Sequence, residues 1–183
     1  MMTESISTEI NLQEKEANKL YAARKFQQAS DTYSQAANNY LTDGHEVRAA
    51  EMRNNQCVAL LQAKHPGGAL TAVKGTALIF EAAGDKLKQA MAYANEATAL
   101  KDLGKKPESI DMFTQAAEVF RQLNESVMYL EVMQSISALK FKSRNMIGAL
   151  FSMQEGLKQV EKPTFKQKLL LKLLIIPQNL LEK

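Results

Sequence analysis

The sequence predicts an all-α protein built as a stack of helix pairs, and three observations carry that reading. The first is a forty-residue period that returns four times without insertion. Ala17, Cys57, Ala97 and Ser137 are small, as are Ala29, Ala69, Ser109 and Ala149, and then Ala36, Thr76, Ala116 and Gly156. Tyr40, Phe80, Phe120 and Val160 recur at the same step and are large and apolar. The second is apolar spacing of three and four within each half-period, with no stretch alternating at period two. The third is punctuation: Gly44, Gly84, Gly104 and Asn124 fall where helices should end, and Pro66 and Pro107 where helices should begin. A fixed period of this length marks units that cannot bury their apolar face without a neighbour.

The first unit spans about residues 8–44. Its opening helix, from about Thr8, mixes Glu9, Glu14, Lys15, Glu16 and Lys19 with Ile10, Leu12 and Leu20, which suits the outer face of a stack end. The second unit, residues 45–84, should carry a second helix opened by Pro66. The third, residues 85–124, is the clearest. Its first helix runs from about Asp85 to Leu103, with Ala90, Tyr93, Ala97, Leu100 and Leu103 on one face. Gly104 tolerates the positive φ of a helix end, Pro107 opens the next helix, and Ile110, Phe113, Ala116, Ala117 and Phe120 line its buried side. The fourth unit is residues 125–162.

A last helix is expected over residues 164–181, after the start signal Lys162-Pro163-Thr164. Leu169, Leu170, Leu173 and Leu174 form a stripe that could cover the last unit, while Leu171, Ile175 and Ile176 lie off it and still need shelter. Three fates are open to the segment: an intramolecular cap, a contact with a second copy, or a membrane surface. The few lysines, Lys166, Lys168 and Lys172, weigh against the last. Pro177 is expected to break or kink the helix.

Bulk properties exclude several classes. A chain of 183 residues, 45% hydrophobic and 23% charged, is the size and composition of one folded domain. A net charge of +3, spread along the chain, is too weak to imply nucleic acid. A single cysteine precludes an internal disulfide. No apolar run approaches the ~20 residues that cross a bilayer, and the polar start MMTESISTEINLQEKE does not read as a secretory signal. A cytoplasmic protein without a membrane-spanning segment is expected.

Catalytic chemistry finds no foothold. His45 and His65 fall in separate predicted turns without cysteine or carboxylate at ligand spacing, so no metal site is expected. Cys57 occupies a position that is small in every unit and reads as packing rather than as a nucleophile. Gly67-Gly68 lacks the surrounding pattern of a phosphate loop. No enzyme activity and no cofactor are expected.

The units resemble the tetratricopeptide repeat. The first helices carry small and bulky residues three apart, as Ala17 with Leu20, Cys57 with Leu60 and Ala97 with Leu100; Ser137 with Lys140 fits less well. The second helices carry small, bulky, small: Ala29, Tyr33, Ala36; Ala69, Val73, Thr76; Ser109, Phe113, Ala116; Ala149, Met153, Gly156. The likeness covers roughly residues 11–160. The usual unit is about 34 residues, so each helix here is almost one turn longer. The usual early tryptophan is replaced by Gln13, Arg53, Tyr93 and Met133. Longer units of this sort are similar to those of the soluble attachment proteins of vesicle fusion, kinesin light chains and some bacterial regulators, a likeness that transfers no specific activity.

The resemblance implies a right-handed α-solenoid of four helix pairs plus the C-terminal helix, with first helices lining a concave surface that binds a protein or peptide. Asn18, Asn54, Asn55, Asn95 and Thr98 would fall on that surface, with Tyr21, Leu61 and Lys101 a turn away. Asparagine offers a donor and an acceptor, which suits the backbone of an extended peptide. The carboxylate clamp of chaperone-tail binders is not expected: Asn18 and Asn55 match its asparagines, but Glu14, Met91 and Asn95 stand where its cations belong. Arg24, Lys25, Lys64, Lys105, Lys106, Lys142 and Arg144 cluster in the turn inside each unit, where cations favour helix C-termini and an acidic partner could also dock. The alternative functions are association of copies through Leu171, Ile175 and Ile176 of the apolar C-terminal helix, and docking on a membrane surface or an acidic partner.

Overall fold

The computed structural model describes the backbone of residues 2–181 and the side chains of residues 12–174. Among the described residues there are ten helices and no strand: α1 (Met2–Ala22), α2 (Phe26–Thr42), α3 (Glu46–Gln62), α4 (Pro66–Val73), α5 (Thr76–Ala82), α6 (Lys86–Asp102), α7 (Lys106–Gln122), α8 (Ser126–Lys142), α9 (Met146–Lys158) and α10 (Phe165–Leu181). The chain forms two compact units, Met1–Ser109 and Ile110–Lys183, with α7 beginning in the first and continuing in the second.

The backbone repeats at twenty residues, half the period of the side chains. Arg24, Gly44, Lys64, Gly84, Gly104, Asn124 and Arg144 all have positive φ, between 58° and 77°. Each closes a helix in the same way. Gly44 N–H donates to the Leu41 carbonyl at 3.1 Å and His45 N–H to the Tyr40 carbonyl at 2.8 Å. The pair recurs at each step, through Lys64 to Leu61 with His65 to Leu60, and on to Arg144 to Phe141 with Asn145 to Lys140. This double bond satisfies carbonyls that a helix end would otherwise leave open. The expected stops at Gly44, Gly84, Gly104 and Asn124 therefore have the left-handed geometry. The basic residues Arg24, Lys64 and Arg144 share it.

In the first unit consecutive helices pack on one another, α1 on α2, α2 on α3 and α3 on α4, and α6 packs on α3, α4 and α5. Placed among four neighbours, α3 buries residues around its circumference: Ala49, Ala50, Met52, Asn54, Cys57, Ala59 and Leu60. The forty-step small positions lie in the interior. Ala17, Cys57, Ala97, Ala29, Ala69 and Ser109 are fully buried, and Ser109 Oγ–H donates to the Ala97 carbonyl across the helix pair at 2.7 Å. In the second unit α8 packs on α9, and Ser137 Oγ–H donates to the Ala149 carbonyl at 2.7 Å, the same contact with the hydroxyl on the opposite partner. Only a small residue brings backbones close enough for a hydroxyl to span them.

Four expectations are corrected. The helix opened by Pro66 is not continuous. Lys74 (φ −56°, ψ 125°) and Gly75 (φ 83°, ψ −9°) form a type II turn between α4 and α5, and Thr76 Oγ1–H donates to the freed Val73 carbonyl at 2.8 Å. Glu14 is not on a solvated outer face; it accepts hydrogen bonds from Tyr40 and Arg48. The C-terminal stripe is rotated: Leu174 is buried and Leu171 half-buried against Leu130, Met153, Leu157 and Val160, whereas Leu169, Leu170 and Leu173 are exposed. α10 runs through Pro177 to Leu181, so the proline does not end it. The side chains of Ile175 and Ile176 lie outside the described residues.

Candidate functional site

The first helices position most of the residues singled out from the sequence, and the structure joins some of them into contacts. Asn54 on α3 is buried, and its Oδ1 accepts from Asn95 Nδ2–H on α6 at 2.9 Å, so two asparagines forty-one positions apart bridge neighbouring first helices. Asn95, Asn55 and Thr98 are half-buried, and Thr98 Oγ1–H bonds back to the Ala94 carbonyl at 2.8 Å. Leu61 is half-buried beside the core that contains Leu60 and Phe80. Lys101 is half-buried next to Asp102, 3.9 Å away.

Asn18 and Tyr21 on α1 are tied to the opening helix pair. Asn18 Oδ1 accepts from Tyr33 O–H at 2.6 Å, and the Tyr21 ring meets Phe26 edge-on with centroids 5.4 Å apart. The acceptor atoms of Asn18 and Asn54 are thus engaged within the protein. Asn95 keeps its own carbonyl oxygen and a second N–H, since an amide has more bonding capacity than the one bond it makes to Asn54.

A charge network escaped the sequence reading. Arg48, at the start of α3, bonds Glu14 of α1 and Glu51 of its own helix, and its guanidinium lies 5.3 Å from the centre of the Tyr40 ring. Lys88 of α6 then bonds Glu51 at 2.9 Å and Asp85 at 2.7 Å. Hydrogen bonding from Lys88 holds the Asp85 carboxyl below its ordinary value, and the same bonds raise the Lys88 ammonium. The available signal was a cation recurring at the forty-residue step, Arg48 and Lys88, but its acids come from other positions of the period. With each cation satisfied by carboxylates, the network ties α1, α3 and α6 together.

Burial pushes the Cys57 thiol up to about 12, helped by the neighbouring Glu96 charge. A thiol so protonated and fully buried has no nucleophilic character at neutral pH. Burial also raises the Glu96 carboxyl, with the Lys74 charge opposing. Among the described residues no cluster of histidine, cysteine and carboxylates could hold a metal ion. Nor is any helix there long and apolar enough to cross a membrane. No family model matches the chain, and no curated protein matches its sequence.

Proposed function

We propose that the chain is a protein-interaction module of the tetratricopeptide type, in which a right-handed stack of helix pairs binds a peptide or a helix along its first helices. The observation that carries the reading is the Asn54–Asn95 bond between α3 and α6. It joins amide groups of α3 and α6, and it leaves donor and acceptor capacity on half-buried Asn95, with Thr98 one turn further along the same helix. Such a row matches the alternating N–H and C=O of an extended backbone, so affinity would come from main-chain bonds with little demand on sequence.

The test separates recognition from stability. Asn18 and Asn95 hold structural bonds, so the cleanest variant changes Asn55→Ala together with Lys101→Ala and leaves Asn54 in place. Peptides selected from a random display library on the parent should bind this variant at least tenfold more weakly, at an unchanged melting temperature. Equal binding to parent and variant would move the site off the first helices.

A further inference from the structure

The outward face of α10 combines apolar exposure with one sign of charge. Leu171 and Leu174, a turn apart, face Leu130, Met153 and Leu157. On the opposite side Phe165, Leu169 and Leu173 recur at four-residue steps, 81%, 50% and 54% exposed, with Leu170 beside them. At 100° per residue this ridge is flanked on one side by Lys168 and Lys172 and on the other by Lys166, all exposed. Residues 165–181 contain no aspartate or glutamate.

Three features decide what covers this face. The occupant must carry negative charge along both flanks, since α10 supplies none. A second copy meeting it through α10 would set three lysines against three with no carboxylate on either helix. The ridge also lacks the small residues on which this chain builds its helix contacts, such as Ala17, Ala29, Cys57 and Ala69; residues 165–174 hold no Gly, Ala, Ser or Cys. The lysines are few, which in the sequence weighed against a membrane, but their exposure on both flanks of an exposed apolar ridge suits a lipid surface, where acyl chains conform to any shape and the ammonium groups reach the headgroups.

We propose that α10 is a membrane-surface element, which lies in the interface of an anionic bilayer with Phe165, Leu169 and Leu173 inserted and Lys166, Lys168 and Lys172 on the phosphates. The helix rests on the bilayer without crossing it. The remaining apolar edge, Leu171 and Leu174, stays on the protein, so the repeat units are held close to the membrane. This function is separate from peptide recognition on the first helices.

Co-sedimentation of the full chain with vesicles tests it. The parent should sediment with an equimolar mixture of phosphatidylcholine and phosphatidylserine, and stay in solution with phosphatidylcholine alone. Leu169→Glu with Leu173→Glu should abolish sedimentation while the melting temperature holds, because both side chains are exposed in the free protein. Changing Lys166, Lys168 and Lys172 to Gln should weaken partition about fivefold per lysine, and added salt should act in the same direction. A parent that stays in solution with both vesicle types overturns the proposal, as does a leucine variant that sediments like the parent. A parent that is dimeric by light scattering, ignores vesicles and becomes monomeric on Leu169→Glu with Leu173→Glu also overturns it and assigns the ridge to a second copy.

Discussion

Lys64 sits in the left-handed conformation with φ 63°, at the backbone position that Gly104 occupies one forty-residue step later with φ 77°. A side chain there costs about 1–2 kcal/mol, because Cβ crowds the following carbonyl. Replacing Lys64 by glycine removes that strain. The same change loosens the unfolded chain, which costs about 0.4–1 kcal/mol. It also removes a cation beyond the C-terminus of α3, worth about 0.3 kcal/mol and screened by salt. The Lys64 side chain is exposed and enters none of the ion pairs among the described residues, so no contact is lost. The balance is a stabilisation of about 0.5 kcal/mol. Arg24, φ 58°, has the same geometry and exposure, and the sites are separate enough to add. Arg24→Gly with Lys64→Gly should therefore stabilise the first unit by about 1 kcal/mol, a rise in Tm of about 4–8 °C for a unit of this size. Gly104→Lys supplies the reverse of one such change, a loss of about 0.5 kcal/mol. Thermal unfolding followed by circular dichroism in moderate salt reads all three proteins. A lower Tm in the double variant, or an unchanged one in Gly104→Lys, would refute the left-handed assignment.

Ala97→Leu forces three extra carbons between α6 and α7 where Ser109 bonds the Ala97 carbonyl, and should cost about 1–3 kcal/mol; a parental urea midpoint would show that the helices do not meet there. Cys57 should resist a thiol reagent at pH 8 in the native protein and react fully in denaturant, since its thiol titrates near 12; fast native labelling would contradict its burial. Burial raises the folded Glu96 carboxyl above its ordinary 4.5, so this group favours folding when protonated and loses that contribution as pH rises through the folded value. Glu96→Gln should accordingly raise Tm at neutral pH, with the gain shrinking as pH falls through the folded value and gone below the ordinary 4.5; a pH-independent gain would point to packing in place of charge.

Period and helix class were legible in the sequence because they rest on local rules. Small residues at Ala17, Cys57 and Ala97 and the breaks at Gly44, Gly84 and Gly104 need only chain geometry to be read, and the structure places them in buried contacts and left-handed turns. The twenty-residue backbone period was hidden, because Arg24, Lys64 and Arg144 have no intrinsic preference for positive φ and are held there by the bonds of the flanking helix end. Gly75 was ambiguous for the opposite reason: a glycine within a helical pattern is compatible with both continuity and a turn, and packing chose the turn.

The candidate site divides in the same way. Asparagines could be placed on the first helices by register alone. Which of them bond each other depends on the spacing of α3 and α6, and that is tertiary. The Glu14–Arg48–Glu51–Lys88 chain needs residues 34 and 37 positions apart to meet, so no local pattern announces it. For α10 the sequence set the composition, apolar on nearly every side. The rotation that buries Leu174 and turns Leu169 and Leu173 to solvent was decided by the shape of the surface that Leu130, Met153 and Leu157 present to it.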